Sequence, residues 1–212
     1  MCVKNKITNL HLDVLKEIGN IGAGHAATAL SKLLHKKIKM TVPDVHIASF
    51  EEIMDLIGGA ELVVVSVFLR IQGDAPGNIF FIVPVAQGER FIKEMIGDPS
   101  FSFEKPPYPE LGLSAMLELG NILSGSYLTA LSNFTKLDML PSVPALSIDM
   151  FGSIISYGLI ELSQVSDYAI VIDTVLSDEQ AENSDMKGHF FLFPDPDSYE
   201  ILFRALRVEL NG

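Results

Sequence analysis

Two pairs of residues have types and a spacing that suit phosphoryl chemistry. Glu17 and Asn20 form the first pair, and Glu118 and Asn121 form the second. A carboxamide both donates and accepts hydrogen bonds, so it can hold a water molecule in line with a leaving phosphoryl group. A carboxylate one helical turn away can form a salt bridge to a lysine of a phosphorylated partner. Such a pair is incomplete alone, because the partner must bring the activated phosphate together with Mg²⁺.

Each pair lies in one copy of an internal repeat. Residues 17–43 and 118–144, which both end on a proline, agree at 11 of 27 positions without a gap. Unrelated stretches of ordinary composition would agree at roughly two. Asp13 and Ser114 occupy the position four residues before each glutamate, where we assign them an auxiliary role. The chain therefore contains an internal duplication.

The polar residues of each copy share one face of a predicted helix, because helical residues three or four apart lie on the same side. After its first member this face is identical in the two copies, whereas the apolar side is merely similar. A solvated polar face has no packing reason to be repeated in this way, so we interpret it as functional. The alternatives are a recent duplication that has not diverged and, for one copy alone, an ordinary solvated face. The two faces are Asp13, Glu17, Asn20, Gly24, Thr28 and Ser31, and Ser114, Glu118, Asn121, Gly125, Thr129 and Ser132.

The small residues on these faces predict a docking surface. Gly24 and Thr28 in the first copy, and Gly125 and Thr129 in the second, leave room for a partner helix to lie along the face. The opposite side of the first helix is predicted to be the core stripe. That stripe is Leu12, Leu15, Ile18, Gly22, Ala26, Ala29 and Leu33.

The elements that must position these faces repeat in the same order. Each half reads as helix–strand–helix–strand–strand–helix, with the repeats at about 8–97 and 109–210 and a proline-rich linker at 98–109. The first strand of each half is predicted at 36–49 and about 137–149, and Pro43 in the former is typical of an edge or a bulge. This predicts an α+β fold in which the two pseudo-symmetric repeats share one mainly antiparallel six-stranded sheet, as a single domain spanning 1–212.

Composition limits the classes of partner. The 212 residues are 48% hydrophobic with a net charge of −12, and so acidic a chain is unsuited to binding nucleic acid. The lysines concentrated in residues 1–40 either bind an acidic partner or form a solvated helix end. The longest apolar run, Leu62–Leu69, is too short to insert into a membrane. One cysteine and the lack of a signal peptide predict a cytoplasmic protein without internal disulfides.

No resident metal or cofactor is predicted. The five histidines are scattered, and none stands at ligand spacing from another histidine or from the cysteine. The sequence also has no phosphate-binding glycine loop and no nucleophile motif of the hydrolases. We therefore expect neither self-contained metal hydrolysis nor covalent catalysis.

The doubled spacing resembles the signature of the CheC/CheX/FliY family of chemotaxis phosphatases, and the length and element order are similar to the CheC members in particular. The resemblance covers essentially the whole chain. The signatures are Asp13-x3-Glu17-x2-Asn20-x22-Pro43 and Ser114-x3-Glu118-x2-Asn121-x22-Pro144.

The resemblance implies hydrolysis of the aspartyl phosphate of the response regulator CheY, with Mg²⁺ bound on CheY. It implies that Asn20 and Asn121 orient the attacking water and that Glu17 and Glu118 engage the lysine of CheY. It also implies a second partner, the receptor deamidase CheD, which would raise the activity. We place the CheD contact near Asp149; a strand end running into a helix explains that stretch equally well.

Two other functions stay open at this point. The protein could be a binding module that holds CheD in response to phosphorylated CheY, with little catalysis of its own. A purely structural part of the flagellar switch is disfavoured, because the chain has no room for an additional switch domain. Intact Glu/Asn pairs favour the enzyme, and the sequence leaves open which of the two sites dominates.

Overall fold

The computed structural model describes residues 7–162, 168–179 and 185–206, with 157–162 described as backbone only. These residues form six helices and eight strands. The helices are α1 Asn9–Leu34, α2 Phe50–Ile57, α3 Val85–Ile96, α4 Glu110–Thr135, α5 Phe151–Leu162 and α6 Pro196–Ala205. The strands are β1 Ile38–Thr41, β2 Val45–Ser49, β3 Val63–Gly73, β4 Gly77–Pro84, β5 Met139–Pro141, β6 Ala145–Met150, β7 Tyr168–Asp178 and β8 Met186–Pro194.

All the strands belong to one antiparallel sheet, which confirms the predicted fold class. Its order is β1-β7-β8-β4-β3-β5, with β2 also on β7 and β6 also on β3. The sheet therefore has six strand positions, as predicted, and each edge position is divided into two short strands. The division falls at Pro43 on one edge and next to Pro144 on the other, because proline cannot donate to a strand ladder.

The two repeats are interlocked through their edge strands. β1 and β2 of the first repeat pair with β7 of the second, where Val45 lies opposite Ile172. β5 and β6 of the second repeat pair with β3 of the first, where Leu146 lies opposite Val67. Each repeat thus completes the sheet of the other.

Helices cover both faces of the sheet. The larger core lies under α1, α4, α3 and α6 and includes Leu15, Leu119 and Phe81, none of which is measurably exposed. The smaller core lies under α2 and α5 on the other face, around Ile53 and Phe151. The two long helices that carry the repeated polar faces therefore share one side of the sheet.

The ends of the helices follow from local capping. Thr8 caps α1 by accepting a hydrogen bond from the backbone N–H of His11, and Ser49 caps α2 in the same way through Glu52. Gly58 ends α2 with φ of 104°, a left-handed conformation that glycine adopts without strain. These short-range signals set the bounds of α2 at Phe50 and Ile57.

The predicted core stripe of α1 is wrong at its C-terminal end. Ala29 is exposed and Leu33 is 48% exposed, whereas Leu30 is fully buried. The end of α1 packs against β1, and Leu30 belongs to the same core as Ile38 of that strand. The burial therefore steps four residues from Ala26 to Leu30, because the neighbouring strand lies on that side of the helix.

Candidate functional site

The two Glu/Asn pairs lie on the two long helices, which pack against each other on the same side of the sheet. The contact is close enough that a Cβ atom added to Gly22 would lie 2.9 Å from the Cα atom of Tyr127. Glycine is therefore required where α1 crosses α4. Both signature glutamates are exposed, and both signature asparagines are half-buried.

In the first copy, both polar atoms of the Asn20 amide are hydrogen-bonded to the backbone. Its Nδ2 atom donates to the carbonyl oxygens of Lys16 at 3.0 Å and Val42 at 3.1 Å. Its Oδ1 atom accepts from the backbone N–H of Val42 at 3.0 Å. The side chain thus replaces a ladder partner for Val42, the residue before Pro43, and ties the broken edge strand to α1. This is a structural role that the sequence did not reveal.

In the second copy, the equivalent asparagine is free. The side chain of Asn121 forms no hydrogen bond with any residue that the structure describes. The strand break also differs, since the counterpart of Val42 there is Val143. Val42 is 3% exposed and belongs to the core, whereas Val143 is 88% exposed. Asn121 therefore keeps both its donor and its acceptor for a ligand.

The remaining residues of the two faces split into an open part and a structural part. Asp13, Ser114, Thr28 and Thr129 are exposed, and a Cβ atom added to Gly24 or Gly125 would have no heavy atom within 4 Å. Space for a partner is therefore present beside both pairs.

Ser31 and Ser132, which close the two faces, are used for folding. Ser31 accepts a hydrogen bond from the backbone N–H of Ile38 at 3.0 Å, and Ser132 donates to the carbonyl oxygen of Leu137 at 2.6 Å. Both serines thus fasten the chain where it leaves a long helix. Their identity in the two copies has a structural explanation and needs no partner.

Asp149 lies apart from the helical faces, on the edge strand β6 opposite Val64. Its side chain is exposed and accepts a hydrogen bond from the backbone N–H of Met150. Met150 is 45% exposed, whereas the next residue, Phe151 at the start of α5, is fully buried. Asp149 therefore lies on a different element from both Glu/Asn pairs.

The fold also assembles a group of ionisable residues that the sequence analysis missed. Asp44, His46 and Asp173 place one ligand atom each within 4.8 Å of one another. The Asp-x-His spacing of the first two is visible in the sequence, but the third residue is distant along the chain and is joined only by strand pairing.

Within the described ranges, no helix is long and apolar enough to cross a bilayer.

Comparison with known proteins supports what the fold and site define, a protein with the architecture of the chemotaxis phosphatases. The profile of the CheC-like family matches residues 10–47 and 111–148, the two segments that contain the Glu/Asn pairs. "CheY-P phosphatase CheC" of Bacillus subtilis (strain 168) is 51% identical over 99% of this chain and 100% of its own length. The chain therefore belongs to the CheC-like family.

Solved structures agree on the fold. FliY of Thermotoga maritima superposes with a TM-score of 0.70 and 21% identity over 95% of this chain and 98% of its own. CheX in the CheX–CheY–BeF3–Mg²⁺ complex of Borrelia burgdorferi gives a TM-score of 0.51 and 15% identity, over 82% and 96% of the two chains. At these identities the likeness concerns the architecture of the chain.

Proposed function

We propose that this protein is a phosphoaspartyl-protein phosphatase of bacterial chemotaxis, located in the cytoplasm, with phosphorylated CheY as its substrate. The 51% identical relative carries that activity in its name. The observation on this chain that carries the proposal is the exposed Glu118 beside an Asn121 whose amide is half-buried and uncommitted. A water-positioning group requires an amide whose donor and acceptor are both available.

The reaction needs little from this chain beyond positioning. The phosphorylated aspartate and its Mg²⁺ belong to CheY, and this protein supplies no metal of its own to that step. Asn121 accepts a hydrogen bond from a water molecule and donates one toward the phosphoryl oxygens, which aligns the water with the phosphorus atom. The water oxygen forms the new bond to phosphorus as the bond to the aspartyl oxygen breaks, and inorganic phosphate and a free carboxylate result. Glu118 forms a salt bridge to a lysine of CheY and fixes its approach.

We assign most of the turnover to the α4 site. Both N–H groups of the Asn20 amide donate to the carbonyl oxygens of Lys16 and Val42, so Asn20 can donate toward the phosphoryl oxygens only by giving up one of these bonds, which would cost that carbonyl its partner. Glu17 is as exposed as Glu118, so the first site still offers a surface to CheY. The first pair therefore contributes binding and a smaller share of hydrolysis.

The test is phosphate release from Mg²⁺-bound phospho-CheY with wild type, Asn20→Ala, Asn121→Ala and the double variant. Asn121→Ala should lose about 100-fold or more in rate, the loss typical of removing one positioned donor. Asn20→Ala should keep most of the wild-type rate. Glu118→Gln should raise the KM for phospho-CheY, since it removes the ion pair and leaves the water in place.

Three results would contradict parts of this assignment. A folded Asn20→Ala variant without turnover would reverse the ranking of the two sites. A double variant with the wild-type rate would remove the water-positioning role altogether. Wild type that binds phospho-CheY without accelerating its decay, with or without CheD, would favour the binding module.

We further propose that CheD binds the β6 edge and raises the activity. Among the described strands β6 pairs only with β3, so its other side faces no described strand. Met150 of β6 and Val63 of β3 are each 45% exposed near the exposed carboxylate of Asp149. Charge reversal by Asp149→Arg should weaken CheD binding in calorimetry and leave the basal rate unchanged. Asp55→Arg, at an exposed carboxylate of α2 on another part of the surface, is the matched control.

A further inference from the structure

Four ionisable side chains meet on the face of the sheet that carries α2 and α5, beyond the ends of those helices. Asp44 follows the strand break at Pro43, and His46 lies two residues further on β2. Asp173 of β7 is held beside them, because its backbone N–H donates to the carbonyl oxygen of Asp44 at 3.0 Å. His189 of β8 lies directly opposite Asp173 in the strand register.

The potential ligand atoms of this quartet lie close to one another. One ligand atom from each of Asp44, His46 and Asp173 lies within 4.8 Å of the others. The Nδ1 atom of His46 is 3.5 Å from an oxygen of Asp44, which is too long for a good hydrogen bond. The Nδ1 atom of His189 is 2.8 Å from Oδ1 of Asp173.

One nitrogen in the quartet lacks a partner. Nδ1 of His46 is buried and forms no hydrogen bond. A buried polar atom without a partner destabilises the folded state. The atom points into a group of carboxylates, so a ligand that binds nitrogen and oxygen together would satisfy it.

In the other half of the molecule, the positions equivalent to this quartet contain residues that serve packing alone. The strand pairing makes Ala145, Phe68 and Phe80 the row equivalent to Asp44, Asp173 and His189. In that half the two phenylalanine rings pack with their centroids 4.9 Å apart.

The position of His46 also lacks a potential metal ligand of this type in the other half, because its repeat counterpart is Ser147. One end of the duplicated sheet therefore has a small and aromatic set where the other end has four potential metal ligands. The fold itself does not require the charged set.

We propose that Asp44, His46 and Asp173 form a binding site for a divalent metal ion of the zinc type. A mixed set of imidazole nitrogen and carboxylate oxygen suits Zn²⁺ and its first-row neighbours, whereas Mg²⁺ and Ca²⁺ prefer oxygen alone. His189 is the positioning residue, because its hydrogen bond to one oxygen of Asp173 leaves the other oxygen to face the metal. Water fills the fourth position.

The site would act as a clamp on the broken edge strand. Asp44 and His46 stand on the short strand after Pro43, and Asp173 stands on its neighbour β7. A shared metal ion therefore joins β2 to β7 at the point where proline removes a ladder hydrogen bond. The Glu/Asn faces lie on the opposite side of the sheet, so this inference is independent of the phosphatase proposal.

The experiment measures Zn²⁺ binding to the full-length, untagged chain after treatment with a chelator and dialysis. All proteins carry Cys2→Ser, so that the lone thiol cannot supply a ligand. Calorimetry should give one Zn²⁺ per chain, and Co²⁺ in its place should give visible d–d absorption typical of a site with nitrogen and oxygen ligands. Zinc at about 100 times its Kd should raise the melting temperature by roughly 5–10 °C.

Asp44→Asn is the most informative variant, because that carboxylate is 62% exposed and its loss leaves the fold intact. It should weaken Zn²⁺ affinity at least about 10-fold and abolish the thermal shift, and His46→Gln should do the same. His189→Gln should weaken affinity less, since it removes a positioning hydrogen bond. His25→Gln and Asp55→Asn, at exposed positions outside the quartet, are the matched controls and should bind as wild type does.

Two outcomes would overturn the proposal. One is an absence of zinc binding or thermal shift by wild type at micromolar concentrations. The other is equal binding by wild type, Asp44→Asn and His46→Gln, which would assign the ion to some other part of the surface. Circular dichroism of each variant shows whether a loss of binding reflects the ligand or the fold.

Discussion

Asn20 and Asn121 occupy equivalent positions in the repeat, yet the chain around them differs. Asn20 bonds to both backbone groups of Val42, while Asn121 bonds to none of the described residues. A carboxamide is suited to both tasks, because it can imitate a peptide group or hold a water molecule. Identical residues in two repeats therefore need not have the same function, since Asn20 has a structural role that Asn121 lacks.

This difference predicts opposite effects of two matched substitutions on stability. Asn20→Ala should lower the free energy of unfolding by about 1–3 kcal/mol, because the buried backbone groups of Val42 lose their partner. Asn121→Ala should change it by less than about 0.5 kcal/mol, since that side chain has no hydrogen bond to lose. Urea unfolding of both variants gives the comparison. Equal losses of stability would show that the amide of Asn121 is also structural.

Lys36 is a second residue whose environment sets a measurable property. Its Nζ atom lies 3.1 Å from Oε2 of Glu94 and 3.1 Å from Oδ2 of Asp178, which is only 5% exposed. The hydrogen bond that Lys36 donates to Asp178, and then the one it donates to Glu94, raise the pKa of Lys36 above its ordinary value of 10.5. A raised lysine pKa adds stability that is complete below the pKa of the unfolded chain and is lost as pH rises through the folded value.

Lys36→Met should therefore reduce stability by about 1 kcal/mol at pH 7, where the ion pair is complete but half-exposed. The difference between wild type and variant should persist to pH 10.5 and shrink only above it. Urea midpoints measured from pH 7 to above pH 10.5 test this, with Lys37→Met as the control, because Lys37 is exposed and forms no ion pair with any described residue. A difference that disappears near pH 9 would contradict the raised pKa.

At the scale of elements, the crossing of α1 and α4 sets the spacing between the two polar faces. Gly22 lies at this crossing, where a Cβ atom would meet the backbone of Tyr127 at 2.9 Å and that of Ser126 at 3.1 Å. Backbone atoms cannot move aside as a flexible side chain can. Two residues along the same helix, Gly24 has open space around its Cβ position.

The pair predicts that two Gly→Ala changes on one helix have opposite signs. Gly22→Ala should destabilise the protein by about 1–3 kcal/mol, because it forces the two long helices apart. Gly24→Ala should stabilise it by up to about 1 kcal/mol, since alanine is the better helix former at an unobstructed position. Thermal and urea unfolding distinguish the two. A neutral Gly22→Ala would mean that the crossing is looser than the structure shows.

The sequence predicted elements well and their partners poorly, for a physical reason. The order of the elements was predicted correctly because helix caps and ends, such as Ser49 and Gly58 around α2, are local signals. The sheet was predicted as one piece, but the exchange of edge strands between repeats was not, since antiparallel pairing leaves no trace in the pattern of one strand. The structural role of Asn20 could not be predicted for the same reason, because its hydrogen bond is to Val42, which lies 22 residues further along the chain.

The candidate site was predictable because duplication marked it. Glu118 and Asn121 would have been read as an ordinary solvated face without a second copy at the same spacing. The quartet around His46 had no such marker, since its counterparts in the other repeat are Ala145, Ser147 and two phenylalanines. Repetition reveals what both halves keep, and the structure was needed to reveal what one half alone acquired.

At the scale of the whole molecule, the sheet cannot be divided at the linker without losing strands from both halves. β3 of the first repeat gives its free edge to β5 and β6, and β7 of the second gives its edge to β1 and β2. Arg70 of β3 also donates to Asp195, before α6 of the other repeat, at 2.8 Å. A half that lacks its partner would expose two long strand edges, and such edges pair with whatever chain is available.

We therefore expect that neither half forms a folded monomer when the chain is divided between Glu104 and Lys105. Expressed alone, residues 1–104 and 105–212 should lack a cooperative unfolding transition or should assemble into dimers, because the pseudo-two-fold arrangement allows a second copy to supply the missing edge strands. Expressed together, they should copurify as a one-to-one complex that unfolds cooperatively. Sedimentation equilibrium and urea unfolding monitored by circular dichroism give the two readouts. A monomeric half with a sharp transition would show that each repeat is a separate folding unit and that the shared sheet forms only afterwards.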